Sequence, residues 1–455
     1  MIRSAAAARI LGRVATAADP QALLRSRSYV RVLAFAVGIG VPVSAAAYFF
    51  LALVSYLQDE IFVQLPHGLG FSSAPLWWPL PVLLAGGVLT ALAIRYLPGE
   101  GGPSPADGFK LHGAPTPGAL PGVILAALAT LAFGVVLGPE MPLIALGGGL
   151  AVLATRVSRQ PVPAQAALVL ASTGSFAAIS TLLGSPILGA FLLMEASGLG
   201  GPTLGLVLVP GLLAAGIGSL IFLGLDAWTG LGTFSLGIPG LPHVGRPTIG
   251  EFGWAMVIGL AAVVAGVAIR RLGLLLRGYS APRVLVALPL AGLVIAALAM
   301  SYKAGTGHPG SDVLFSGESD LGTLIKHSAS YTAGALVALV LLKGLAYAVS
   351  LSSFRGGPVF PAMFVGAAMG IAFSRLPGLP AVPAAAMGIG AMCVVMLTLP
   401  LTSVLLATLL LGPAGLDAMP LVIVSVVVAY VASARLSPGA AQPERRERPV
   451  RPGGL

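Results

Sequence analysis

The chain has 455 residues, 57% of them hydrophobic and only 9% charged, a balance that excludes an ordinary soluble globular protein. Its net charge of +10 gathers at the two ends: Arg3, Arg9, Arg13, Arg25, Arg27 and Arg31 precede the first long apolar run, and Arg435, Arg445, Arg446, Arg448 and Arg451 follow the last. Such short tails, with no interleaved aromatics, argue against nucleic acid and match a positive-inside excess, with both termini cytoplasmic, an even number of crossings, and contact with anionic membrane lipid.

A spanning helix needs about 20 apolar residues, so the chain between Val30 and Ala434 has room for on the order of ten or more membrane segments. No uninterrupted apolar core of a cleaved signal opens it. Val30–Leu57 and Leu76–Tyr96 read as the first two spans, with Trp77 and Trp78 as interfacial anchors. A Gly/Pro cluster, Pro98 to Gly108, follows, and its prolines suit the start of a short helix at Pro105. The next apolar run, Leu120–Leu137, is cut by Gly138-Pro139-Glu140-Met141-Pro142 before Leu143–Ala154.

That interruption carries the strongest single signal. A charge at mid-span costs roughly 2.5–3.5 kcal/mol on insertion scales, and broken backbone at membrane depth is tolerated where it is buried in protein or lines a cavity. Glu140 among helix breakers therefore marks a candidate ion site, against the plainer reading of a turn between two short helices.

Ala164–Leu183 then leads to Gly184-Ser185-Pro186 and the run Ile187–Met194, closed by Glu195; Leu204–Leu225 ends the first half. Between Asp226 and Glu251 the composition turns to Gly, Pro, Thr and His. Trp254–Leu276 and Val284–Met300 open the second half. Lys303–His327 reads as a polar loop whose acids Asp312, Glu318 and Asp320 form a solvated face. Tyr331–Leu351 reaches a second break, Arg355-Gly356-Gly357-Pro358-Val359-Phe360-Pro361. Ala381–Leu411, interrupted at Leu399-Pro400-Leu401-Thr402, and Leu421–Val431 complete the chain.

Each half thus has a Gly/Pro break followed by a second Pro motif, 44 residues on from Pro142 to Pro186 and 39 on from Pro361 to Pro400. Paired broken segments point to an internal repeat whose helix ends meet near the midplane. Helix N-termini gathered there offer free N–H groups and a positive dipole end, which favour an anion.

At these residues the chain resembles the CLC chloride channel and transporter family, over roughly Val30 to Ala434. Gly138, Glu140, Pro142 and Gly147-Gly148 fit the Gly-Arg-Glu-Gly-Pro signature and its following glycine pair. Gly356-Gly357-Pro358-Val359-Phe360-Pro361 is similar to the Gly-x-Phe-x-Pro filter, Gly184 to Gly189 with Glu195 to the Asn-Ala-Pro-Leu-Ala-Gly segment, and Pro400-Leu401-Thr402 to the second-half Pro-Leu-Thr. The resemblance implies an all-α polytopic membrane protein of CLC-like fold: two inverted-topology halves with broken and re-entrant helices, a pore in each subunit, and a homodimer. The divisions are a basic N-terminal tail over 1–29, the first half over 30–225, a linker over 226–250, the second half over 251–434 and a short basic tail over 435–455.

The same resemblance makes Glu140 the gating carboxylate and assigns the anion site to Gly138, Glu140, Met141, Gly357, Val359 and Phe360. Gly102 or Ser104 is added where the family has a serine hydroxyl; the plainer role for Ser104 is a helix N-cap. Several departures thin the donor set: Pro358 has no N–H, Pro139 replaces the signature arginine, and no tyrosine follows Tyr430. The acid that proton-coupled members carry after Glu195 is Ala196, which favours a passive anion channel over a proton-coupled anion exchanger and gives Glu195 a structural role. A non-transporting scaffold or sensor with a degenerate filter is the alternative of another class. No enzyme is expected, since no nucleophile stands with a base, and none of Lys110, Lys303, Lys326 or Lys343 precedes Ser or Thr as a nucleotide-binding loop requires. No cofactor or metal is expected either, since His67, His112, His243, His308 and His327 are loop residues. Cys393 reads as a small packed side chain.

Overall fold

The computed structural model describes residues 27–109, 114–157, 164–180, 182–183, 185–198, 202–234 and 236–436. Lys110, His112, Gly184 and nearly all of the two basic tails lie outside the described residues. The protein is all-α. In chain order the helices of six residues or more are α1 (Arg27–Asp59), α2 (Pro79–Tyr96), α3 (Leu120–Leu131), α4 (Glu140–Val157), α5 (Ala164–Ala178), α6 (Pro186–Ser197), α7 (Pro202–Thr229) and α8 (Ile249–Ser280). They continue as α9 (Val284–Thr306), α10 (Glu318–Lys326), α11 (Ala333–Ser353), α12 (Val359–Phe373), α13 (Ala381–Leu397), α14 (Pro400–Leu410), α15 (Gly412–Asp417) and α16 (Met419–Leu436).

The breakers define the ends. Pro at the first or second position starts α2, α3, α6 and α14, where its missing N–H costs nothing. Thr248 and Glu251 form a reciprocal capping box on α8, and Gly307 closes α9 in the left-handed conformation. Six stretches among the described residues are long and apolar enough to cross a membrane; one of them, Ile249–Thr306, holds both α8 and α9. The others are short apolar helices such as Leu120–Leu131 and Val359–Phe373. The apolar run Leu120–Leu137 is therefore not one helix: α3 stops at Leu131, and an irregular segment leads to α4.

In lipid, helices are held by close backbone approach more than by apolar burial. Two pairs use it at their centres. A Cβ on Gly366 of α12 would come within 2.3 Å of the Gly388 carbonyl of α13, and one on Gly388 within 2.0 Å of the Gly366 carbonyl. In α4 and α5, Gly147 and Gly174 meet in the same way, at 2.3 and 2.2 Å. Gly147 and Gly366 each sit seven residues beyond the first residue of their helices, Glu140 and Val359. The two helices that begin at the breaks are thus seated by the same device.

Two expectations are corrected here. Trp78 is no interfacial anchor: it is 5% exposed, and its ring N–H donates to the Ile61 carbonyl at 3.0 Å, whereas Trp77 is exposed. Nor is 303–327 a solvated polar loop. Asp312 is buried and accepts from the Tyr331 hydroxyl, and Glu318 and Asp320 are half-buried on the first turn of α10. Cys393 is fully buried, as a packed thiol should be. Gly366→Leu is expected to force α12 and α13 apart and lower the thermal midpoint of the detergent-solubilised protein, at about 1–3 kcal/mol. Gly334→Ala, with open space around the new methyl, leaves the midpoint in place; equal behaviour of the two would contradict backbone-to-backbone seating.

Candidate functional site

The two breaks meet. Gly138 N–H donates to the Gly357 carbonyl at 2.8 Å and Gly357 N–H donates back to Gly138 at 2.7 Å, an isolated antiparallel bridge between segments 219 residues apart. Beside it α4 begins at Glu140 and α12 at Val359. Glu140 is 0% exposed, and its Oε1 accepts from the Val359 N–H at 2.5 Å. The second oxygen, Oε2, is buried with no hydrogen-bond partner. The carboxylate therefore occupies the free-donor end of α12, the place a small anion would take.

This geometry changes what several expected residues contribute. Gly138 and Gly357 were expected among the anion ligands, but each gives its N–H to the other. They supply room instead: a Cβ on Gly138 would lie 2.1 Å from Glu140 Oε2, and one on Gly357 2.1 Å from its Cδ. Gly102 is likewise committed, its N–H donating to the Gly99 carbonyl at 2.8 Å in a left-handed turn. Met141 is half-buried in the first turn of α4, where N–H groups lack an intrahelical acceptor. Val359 and Phe360 are fully buried, one carrying the bonded N–H and the other adjoining it.

Ser104 precedes the short turn Pro105–Asp107, yet its side chain makes no capping bond. The N-cap role fails on that point. Its Oγ is buried and without a hydrogen-bond partner, a state that polar groups in proteins rarely keep unless something else is meant to meet them. Pro105, Ala106 and Gly108 line one small pocket together with Leu351, Pro358 and Met396, so the serine loop comes up against the second break.

Three side chains escaped sequence reasoning: Tyr347 and Lys343 are lone polar residues in the apolar helix α11, which carry no pattern, and Arg355 stands in the break itself. The Tyr347 hydroxyl, on α11, donates to the Pro358 carbonyl at 2.7 Å and pins the residue that has no N–H of its own. Arg355 reaches the carbonyls of Glu100, Ser353 and Phe354 at 3.3–3.4 Å and ties the serine loop to the break. Lys343 is 0% exposed; its Nζ donates to the carbonyls of Asp312 and Leu314, both at 2.9 Å, over the ring of Phe364.

Glu195 serves elsewhere. From the end of α6 its carboxylate accepts from the N–H groups of Leu401 and Thr402 at 3.0 and 2.7 Å and from the Thr402 hydroxyl at 2.6 Å, capping α14. Glu195→Ala removes all three bonds and is expected to cost about 1–3 kcal/mol, read as a lower thermal midpoint in detergent; an unchanged midpoint would show the cap to be idle.

Comparison with known proteins places this geometry in context. The family model described as "Voltage gated chloride channel" matches residues 82–434. The chain is 32% identical over 362 residues to YfeO of Escherichia coli O1:K1, named as an ion-transport protein, covering 76% of this chain and 80% of the relative. The same figures hold for YfeO of Shigella boydii serotype 4. Among solved structures, a CLC-type fluoride/proton antiporter superposes with a TM-score of 0.69 at 22% identity, covering 90% of this chain and 96% of its own. A slow cyanobacterial Cl⁻/H⁺ antiporter gives 0.71 at 18%, covering 89% and 95%. At these identities the two solved structures establish a shared fold.

Proposed function

The chain belongs to the voltage gated chloride channel family, and we propose that it is a passive channel for chloride or a similar inorganic anion, gated by Glu140. The observation that carries this reading is the seat of the Glu140 carboxylate on the Val359 N–H at the start of α12. A carboxylate there competes with a permeating anion for the same donors. Protonation removes its charge, the hydrogen bond weakens, and the side chain leaves the seat to the anion. Val359, Phe360 and Met141 then supply N–H donors, and the unpartnered Ser104 hydroxyl supplies the donor on the far side of Pro358.

The proposed architecture is two inverted halves, 30–225 and 251–434, whose breaks join at the Gly138–Gly357 bridge. The matching positions of Gly147 and Gly366 support it. A homodimer in the cell membrane with cytoplasmic termini completes the reading. Ala196, where proton-coupled relatives carry an acid, favours a passive pathway; the names of the two solved neighbours favour the second reading, proton-coupled exchange.

Liposomes loaded with chloride and given valinomycin test both. The channel reading expects anion efflux that rises as the outside pH falls, since acid protonates Glu140. Glu140→Gln, a permanent mimic of the protonated form, is expected to conduct at neutral pH with at least tenfold less pH dependence. No flux in either protein overturns the anion pathway. Proton uptake driven by an anion gradient assigns exchange in place of a channel. Ser104→Ala is expected to lower flux severalfold with the pH response retained, and equal flux would remove the serine from the pathway.

A further inference from the structure

The head of α12 has few donors to offer. Pro358 and Pro361 carry no N–H, and the Ala362 N–H goes to the Pro358 carbonyl at 3.3 Å. The amides of Val359 and Phe360 are the two that remain in the first turn, and the Val359 amide is the one that holds the Glu140 carboxylate. With so short a supply, the strength of each donor decides how well the seat holds a negative charge.

The Val359 N–H and the Pro358 carbonyl are the two ends of one peptide unit. In a trans peptide they lie in one plane and point in opposite directions. At the carbonyl end the Tyr347 hydroxyl donates at 2.7 Å, the usual length of a good O–H···O bond. A chain of hydrogen bonds therefore runs from the phenol of α11 through this peptide to Glu140 Oε1. A donor at the carbonyl draws electron density through the C–N bond and leaves the N–H more positive, so each bond strengthens the other. The same contact fixes the rotation of the peptide plane and thereby aims the N–H. Tyr347 is 0% exposed, so no bulk water competes for its hydroxyl or stands ready to replace it. At the first break the corresponding peptide, between Pro139 and Glu140, has its carbonyl bonded to the Leu143 N–H at 2.9 Å. That is a bond of the helix itself, whereas the second break brings its donor from another helix.

The hydroxyl is held in place by its neighbours on α11. Lys343 and Ser350 lie four residues before it and three after, on the same face of the helix, and both are 0% exposed. Lys343 donates to the carbonyls of Asp312 and Leu314, with its ammonium 4.2 Å from the centre of the Phe364 ring. The Ser350 hydroxyl oxygen accepts from the Val136 N–H at 3.2 Å, in the approach to the first break. One face of α11 is thus tied to the segment before α10, to the head of α12 and to the first break, and Tyr347 sits between the two outer ties.

We propose that Tyr347 is a positioning residue of the anion seat: it aims and strengthens the Val359 N–H, and so sets the affinity of the seat for a negative charge. The proposal rests on the reading of this seat as the anion pathway.

Chloride efflux from liposomes tests it on the full chain in a Glu140→Gln background, where the gate carboxylate no longer competes for the seat. Initial rates at a series of chloride concentrations separate the half-saturating concentration from the maximal rate. Tyr347→Phe keeps the ring and removes the hydroxyl; its half-saturating concentration is expected to rise about three- to tenfold, with the maximal rate no lower. Tyr347→3-fluorotyrosine, whose more acidic hydroxyl is a stronger donor, is expected to bring it below the parent's, and it carries the test should the phenylalanine variant fail to fold. Glu195→Ala, which loses the cap of α14, is expected to leave the half-saturating concentration in place. A rise there equal to that of Tyr347→Phe would mark general loosening and overturn the role of Tyr347. So would parental half-saturation in both Tyr347 variants while Glu140→Gln still conducts, a result that spares the anion pathway. No flux in Glu140→Gln itself overturns both.

Discussion

The Glu140 carboxylate and the Val359 N–H meet in an interior where neither has water to fall back on, and the rest of the molecule is arranged around keeping them there. An ionised carboxylate without solvent is expensive unless hydrogen-bonded donors replace what it loses. One oxygen has such a donor at 2.5 Å; the other has none. A half-satisfied buried acid is poorly placed for stability alone and well placed for an equilibrium between two states, since a proton or a movement resolves the deficit.

Holding that equilibrium requires two broken backbones to stay in register. The Gly138–Gly357 bridge does so directly, and the absence of side chains at both positions makes the space the carboxylate fills. Behind it, α12 lies on α13 through Gly366 and Gly388, and α4 on α5 through Gly147 and Gly174. Close backbone contact allows little sliding, so a change at the break is taken up by side chains. Tyr347 and Arg355 add polar ties where apolar packing gives out.

Much of this was legible in the sequence. Glu140 among Gly and Pro in an apolar run is a costly arrangement, and the recurrence of a similar break at Gly356–Pro361 indicated a partner for it. What was not legible depends on distance across the chain. That Gly138 and Gly357 would spend their N–H groups on each other follows from pairing that spacing does not reveal. Glu318, Asp320 and Asp312 look like a solvated loop because local composition is polar, and only the burial of Lys343 beneath them shows the loop folded inward. Trp78 beside Trp77 is the same lesson: the two have one pattern, and packing separates them.

Pro358 shows how a departure from a family pattern can be absorbed. It removes an N–H from the start of α12, yet its ring restricts φ and its carbonyl accepts from the Tyr347 hydroxyl. The break thus loses a donor and gains a fixed geometry. On the proposed reading, an anion here relies on fewer and more rigid contacts: the amides of Val359 and Phe360, and the Ser104 hydroxyl from the other side. A rigid, sparsely bonded site repays less of an anion's lost hydration, so occupancy is short and the Glu140 carboxylate, tethered to the same chain, competes at high effective concentration. On that reading, what moves the carboxylate, its own protonation first, decides when the pathway is open more than the ligands of the ion do.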